Sequence, residues 1–141
     1  MYLNVFYLEK YTMGKKILIT GAILGLFGII LGAFAAHGLK PQLSPDQRLT
    51  FETGVKYQMY SAFFLLFLGL YSGAKEKMKN ICFYLTIIGA LLFSGSIYLL
   101  ATNHLTSFDF TAIALTTPLG GTLMIAAWVV LLASLFKLKK K

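Results

Sequence analysis

Charge is scarce in this 141-residue chain: 13% of residues are Asp, Glu, Lys or Arg, against 57% hydrophobic ones. So apolar a sequence cannot cover itself with a polar surface, which excludes a water-soluble globular domain and makes lipid its solvent. Cysteine is scarcer still. Cys82 stands alone, so an intrachain disulfide and a thiolate metal cluster are excluded and a small packing role is its default over a redox or lipidation role. No Ser/His/Asp set, zinc-binding HExxH or phosphate-binding loop occurs. No Asp, Glu, Lys or Arg lies at the centre of any apolar run, whereas proton-coupled pumps and small multidrug transporters depend on such a carboxylate.

What is present is four apolar runs, near residues 17–36, 57–74, 81–101 and 118–136. Each matches the roughly 20 residues that a helix needs to cross the hydrocarbon layer, and together they leave no room for a soluble catalytic domain. The expected fold is an all-α membrane protein, an antiparallel bundle of four transmembrane helices. Residues 13–141 form that domain. Residues 1–12 read as an extension, either poorly ordered or an artefact of start-site choice with Met13 as the true start. The first run could also be read as a cleaved signal, since Ala33 and Ala35 have small-x-small spacing; its length exceeds the usual h-region and favours a span.

The net charge of +8 has a place as well as a size. Lys10, Lys15 and Lys16 precede the first run, Lys75, Lys77 and Lys79 join the second and third, and Lys137, Lys139, Lys140 and Lys141 close the chain. Lys40, Arg48 and Lys56 lie on the other side, balanced by Asp46, Glu52 and Asp109. Basic residues beside spans resist translocation, so both termini are predicted inside (N-in/C-in) and the 37–56 and 102–117 connections outside. The partner for this basic side is a bilayer with anionic headgroups; nucleic acid is not expected. A Lys137-x-Lys139 retrieval signal would matter only in a eukaryotic secretory setting.

Two constellations stand out. Gly21, Gly25, Gly28 and Gly32, with Ala36 beyond, lie on one helical stripe and predict close backbone approach by another helix, inside the bundle by default or across a homo-oligomer seam. At the outer end, His37, Glu52, Lys56, Tyr57 and Gln58, with His104 more loosely attached, are expected to form one hydrogen-bonded cluster, with Glu52 and Lys56 paired at i,i+4. Aromatic-belt anchoring explains the tyrosines equally well. Neither histidine has a second ligand one turn away, so no metal, haem or other cofactor is expected. Ser44-Pro45-Asp46-Gln47 predicts a capped helix start running into the second span. Trp128, ten residues into the fourth run, lies too deep for a belt residue and reads as packing or lipid contact.

Four segments then carry a resemblance: Gly32-Ala33-Phe34-Ala35-Ala36-His37-Gly38-Leu39, Phe51-Glu52-Thr53-Gly54-Val55-Lys56-Tyr57-Gln58-Met59-Tyr60, Gly95-Ser96-Ile97-Tyr98-Leu99-Leu100-Ala101 and Thr117-Pro118-Leu119-Gly120-Gly121. From about Met13 to the C-terminus the chain resembles the YgdD-like family of small membrane proteins, domain of unknown function 423. The resemblance implies a four-helix membrane protein of bacteria, with relatives in mitochondria, and brings no established activity. Ala35 stands where the family usually has Gly, and Ser61 where it usually has His, which weakens any multi-histidine site. The bacterial inner membrane is the expected location, ahead of the mitochondrial one. A non-enzymatic accessory or assembly subunit of a larger membrane complex is the leading expectation, followed by an oligomeric small-solute carrier or channel with Lys56, Gln58 and the histidines at its mouth, and last by an enzyme on lipid or quinone.

Overall fold

The computed structural model describes residues 2–137, with side-chain surroundings described from Thr12 onward. All regular structure within that range is helical. We label the helices α1 (Tyr2–His37), α2 (Pro45–Leu70), α3 (Glu76–Ala101) and α4 (Thr116–Phe136), with short 3-10 turns at Asn103–Leu105 and Phe110–Ile113. Among the described residues, three stretches are long and apolar enough to cross a membrane: Thr12–His37, Glu76–Ala101 and Phe110–Phe136. Helix α2 is as long as α3 but carries Asp46, Arg48, Glu52 and Lys56 in its first half. Its apolar part is shorter than expected, because the helix stops at Leu70 and Tyr71 turns extended.

The expected capping box opens α2. Ser44 Oγ accepts from the Gln47 N–H at 3.3 Å and Gln47 Oε1 accepts from the Ser44 N–H at 2.9 Å, so two orphan donors of the helix start are satisfied reciprocally. In the connection between α3 and α4, Asp109 caps the second 3-10 turn, accepting from the Thr111 N–H and the Thr111 hydroxyl, both at 2.9 Å. Those bonds hold its carboxyl below the usual range.

Neighbouring helices run antiparallel. Gly14 of α1 faces Gly69 of α2, and Gly32 faces Val55; Gly54 of α2 faces Tyr98 of α3; Cys82 of α3 meets Ala127 of α4, and Gly89 meets Gly120. Two buried clusters result, one around Ile17, Leu65, Leu68, Cys82 and Ala127, the other around Ala35, Leu39, Phe51 and Ala101. Cys82 is fully buried, as a packing residue should be.

Helix α3 is not uniform. Leu91–Gly95 winds as a π-helix between the α-helical stretches Glu76–Ala90 and Ser96–Ala101. The stretch before it packs mainly on α4, and the stretch after it mainly on α2. Helix α4 crosses closely at this point: a Cβ placed on Gly120 would strike the backbone nitrogen of Phe93 and come within 2.7 Å of the Gly89 carbonyl oxygen. Elsewhere α4 stands off from α2 and reaches it through side chains, Trp128 against Phe64 and Met124 against Ser61.

Candidate functional site

The glycine stripe faces α2 along its whole length. A Cβ on Gly21 would lie 3.1 Å from the Ala62 carbonyl oxygen and 3.1 Å from Leu65 Cβ, one on Gly25 would lie 3.7 Å from Ala62 Cβ, one on Gly28 would lie 2.6 Å from Met59 Sδ, and one on Gly32 would lie 3.4 Å from Val55 Cγ1. The seam is therefore internal to the chain. Such close contact holds helices together even where no hydrophobic effect drives them to associate.

The polar residues expected to cluster, His37, Glu52, Lys56, Tyr57, Gln58 and His104, do not form one connected group. Gln58 turns inward and is 6% exposed. Its amide nitrogen donates to the Leu24 carbonyl of α1 at 2.8 Å, and its amide oxygen accepts from the Tyr98 hydroxyl of α3 at 2.8 Å. Gly54 makes this possible, because the Tyr98 ring occupies the space a side chain there would need. Phe51 closes the other side of that ring, with centroids 4.6 Å apart. One chain of hydrogen bonds thus ties three helices. Close by, Ser96 Oγ and Thr117 Oγ1 lie 2.6 Å apart and join α3 to α4.

Glu52 pairs with Arg48 at 3.8 Å rather than with Lys56, which corrects the expected partner. Both bases lie one helical turn from the carboxylate, so spacing alone does not choose; the longer, fork-shaped guanidinium makes the contact. Lys56 and His37 are exposed and make no ion pair or hydrogen bond among the described residues. Tyr57 packs on Phe93 and Tyr60, with ring centroids 4.6 and 5.6 Å away. His104 belongs to a different network: its Nδ1 is 3.0 Å from Gln47 Nε2 and its Nε2 is 2.9 Å from the Gln42 carbonyl oxygen. Since Gln47 Oε1 is committed to the helix cap, its Nε2 donates to Nδ1, and the His104 Nε2–H donates to Gln42. His104 therefore fastens the connection after α3 to the one after α1. Among the described residues, no three His, Cys, Asp or Glu side chains are grouped to hold a metal ion.

The gap between α2 and α4 is the feature that the sequence did not announce. A cleft of about 300 Å³ is lined there by Tyr57, Tyr60, Ser61, Phe64, Phe93 and Trp128, among others. A second hollow of about 260 Å³ continues it along α2, sharing Tyr60, Phe64 and Trp128 and adding Phe63 and Phe67. The Trp128 ring sits 4.8 Å from Phe64, and the residue is still 58% exposed. The Ser61 hydroxyl is used locally, donating to the Tyr57 carbonyl at 2.9 Å with Met124 Sδ 3.4 Å away. The signal was the i, i+3, i+4, i+7 spacing of Tyr60, Phe63, Phe64 and Phe67, which in an apolar run reads as bulk hydrophobicity until the neighbouring helix is known to stand off.

Comparison with known proteins follows the same lines. A UPF0382 membrane protein of Staphylococcus haemolyticus is 37% identical over 123 residues, covering 87% of this chain and 97% of its own length. One from Haemophilus influenzae is 37% identical over 127 residues, covering 90% and 98%. The UPF0382 inner membrane protein YgdD of Escherichia coli is 34% identical over 131 residues, covering 90% and 94%. No solved structure matches significantly. With residues 31–121 matching the family model described as protein of unknown function (DUF423), this helical membrane protein belongs to that family.

Proposed function

We propose that the chain is a four-crossing protein of a bacterial inner membrane, with both termini in the cytoplasm, that serves as a non-enzymatic accessory or assembly subunit of a larger membrane protein complex. Helix α2 is the fourth crossing in this reading. Its residues from Val55 to Gly69 lie opposite Gly32 to Gly14 of α1, so the two cover the same depth. Its charged first turns then lie at the outer interface, and ten of the thirteen basic residues fall on the inner side. The E. coli relative is called an inner membrane protein, which supports the location.

The observation that carries the accessory role is the ring-lined groove between α2 and α4. It runs from Tyr57 to Phe67, about 15 Å at helical rise, and opens sideways into what would be hydrocarbon. Tyr60, Phe63 and Phe67 are each more than half exposed along it. A helix of a larger membrane protein fits such a groove, since association in lipid depends on shape and dispersion contact. The interior polar groups Gln58, Tyr98, Ser96 and Thr117 meanwhile bond to one another and to backbone.

The test is extraction of the native chain in mild detergent, with a photo-crosslinking residue at Tyr60 and a second sample carrying Trp128→Ala. Stoichiometric recovery with one larger membrane complex, a crosslink to a helix of that complex, and loss of both on Trp128→Ala is the expected result. A symmetric homo-oligomer with a water-lined axis would replace this reading with the carrier or channel.

A further inference from the structure

We propose that the cavity between the start of α3 and the end of α4 is a binding site for an anionic phospholipid, with the headgroup phosphate between Lys75 and Lys137 and an acyl chain along Met78, Val130 and Ala133. This inference needs only that α3 and α4 lie across a bilayer, and not that the chain serves a larger complex. The cavity holds about 390 Å³ and lies where the antiparallel helices bring residues 73–78 beside residues 130–137.

Its two ends differ in character. Lys75 and Lys137 line one end and are exposed, and their ammonium groups make no ion pair or hydrogen bond among the described residues. Lys75 is the N-cap of α3 and gives its first turn no side-chain cap, so the free N–H groups and the positive end of the helix dipole add to the same field. Lys75, Lys77 and Lys137 outnumber Glu76, the one carboxylate in the 71–80 turn. Met78, Val130 and Ala133 line the other end without a polar side-chain group, and the Ser134 hydroxyl beside them is spent on the Leu131 carbonyl at 2.7 Å. A free phosphate would use only the first half. A phospholipid uses both, with its chain parallel to the helices and its headgroup at the level where the lysines end.

Native mass spectrometry of the full chain, released from micelles containing equal phosphatidylglycerol and phosphatidylcholine, reads the preference directly. The expected result is retention of phosphatidylglycerol over phosphatidylcholine by about thirtyfold, the order that two lysines beside an anionic headgroup supply. Lys75→Gln with Lys137→Gln should bring that ratio close to one, Lys75→Arg with Lys137→Arg should keep it, and Lys40→Gln at the opposite end should not change it. Ala133→Trp, which fills the apolar wall and leaves both lysines, should also abolish retention; it keeps the test open if the double Gln variant does not fold. Equal retention of the two lipids by the native chain, or a preference untouched by both the double Gln and Ala133→Trp variants, would overturn the proposal. Displacement of the lipid by millimolar inorganic phosphate would reduce the site to a free-anion site and overturn it as a lipid site. None of these outcomes bears on recovery with a larger complex, so the two readings fail separately.

Discussion

The two glycine crossings are built on opposite plans. Between α1 and α2, glycines on one helix face mostly side chains of the other: Met59, Val55, Leu65 and Leu66 fill the space over Gly21, Gly28 and Gly32. Between α3 and α4, Gly89 and Gly120 face backbone, with Phe93, Leu92 and each other's carbonyl oxygens as the nearest atoms along with Met124. A side chain can swing aside and a backbone cannot, so the second crossing is the stiffer one although it has fewer glycines. A glycine's worth is set by what lies opposite, not by membership of a stripe.

Substitutions can break or sharpen that contrast. The largest effect is expected for Gly120→Ala, a methyl group forced against the π-helical backbone, at about 3 kcal/mol or outright loss of folding. Unfolding of the purified protein in detergent measures it; a cost no larger than that of Gly28→Ala, where only the Met59 thioether must move, would erase the distinction. Gln58→Leu comes next, because it removes the bonds to Leu24 and Tyr98 together, for about 1–2 kcal/mol at the strength of hydrogen bonds inside membranes. Tyr98→Phe, losing one bond, should cost less, and the two changes should be non-additive.

Within the α1–α2 seam the positions should separate as well. Gly21→Ala presses on the Ala62 carbonyl and should destabilise by about 1 kcal/mol. Gly25→Ala meets only ordinary contact at 3.7 Å and should be neutral or better, since Ala favours a helix by roughly 0.5–1 kcal/mol over Gly. Equal costs at the two sites would mean that the seam reads composition and not shape. The smallest effect lies outside both crossings. A double-mutant cycle on Arg48 and Glu52 should give a coupling of about 0.3–0.5 kcal/mol, typical of an exposed i,i+4 pair, while the cycle on Glu52 and Lys56 should give none.

The helices were legible because long apolar runs, a capping box and glycine spacing are all local signals. The Ser44 cap, the stripe on α1 and the burial of Cys82 could each be read within a single turn or face. The polar residues were misgrouped because a shared position at one end of the bundle says nothing about which way each side chain turns. Gln58 and Lys56 are two residues apart and point to different worlds, one to the Leu24 carbonyl and one outward. The partner that decides Gln58, Tyr98, lies forty residues away and reaches it only because Gly54 leaves the ring room. Glu52 had two equivalent bases within reach, and the ring-lined groove depended on a helix spacing that no single segment encodes.

The π-helical turn in α3 also bears on how the gene can change. One residue advances a helix by about 100°, so the five residues from Leu91 to Gly95 fix the phase between a half that fits α4 and a half that fits α2. A one-codon deletion there can be taken up by closing the wide π turn into an α turn, with Tyr98 and Ser96 aimed as before, whereas a one-codon insertion has no such slack and aims them wrongly. Point substitutions in this segment alter one contact each; an insertion rotates a whole docking face. This stretch is thus where the reading frame of the fold, as distinct from that of the message, is set.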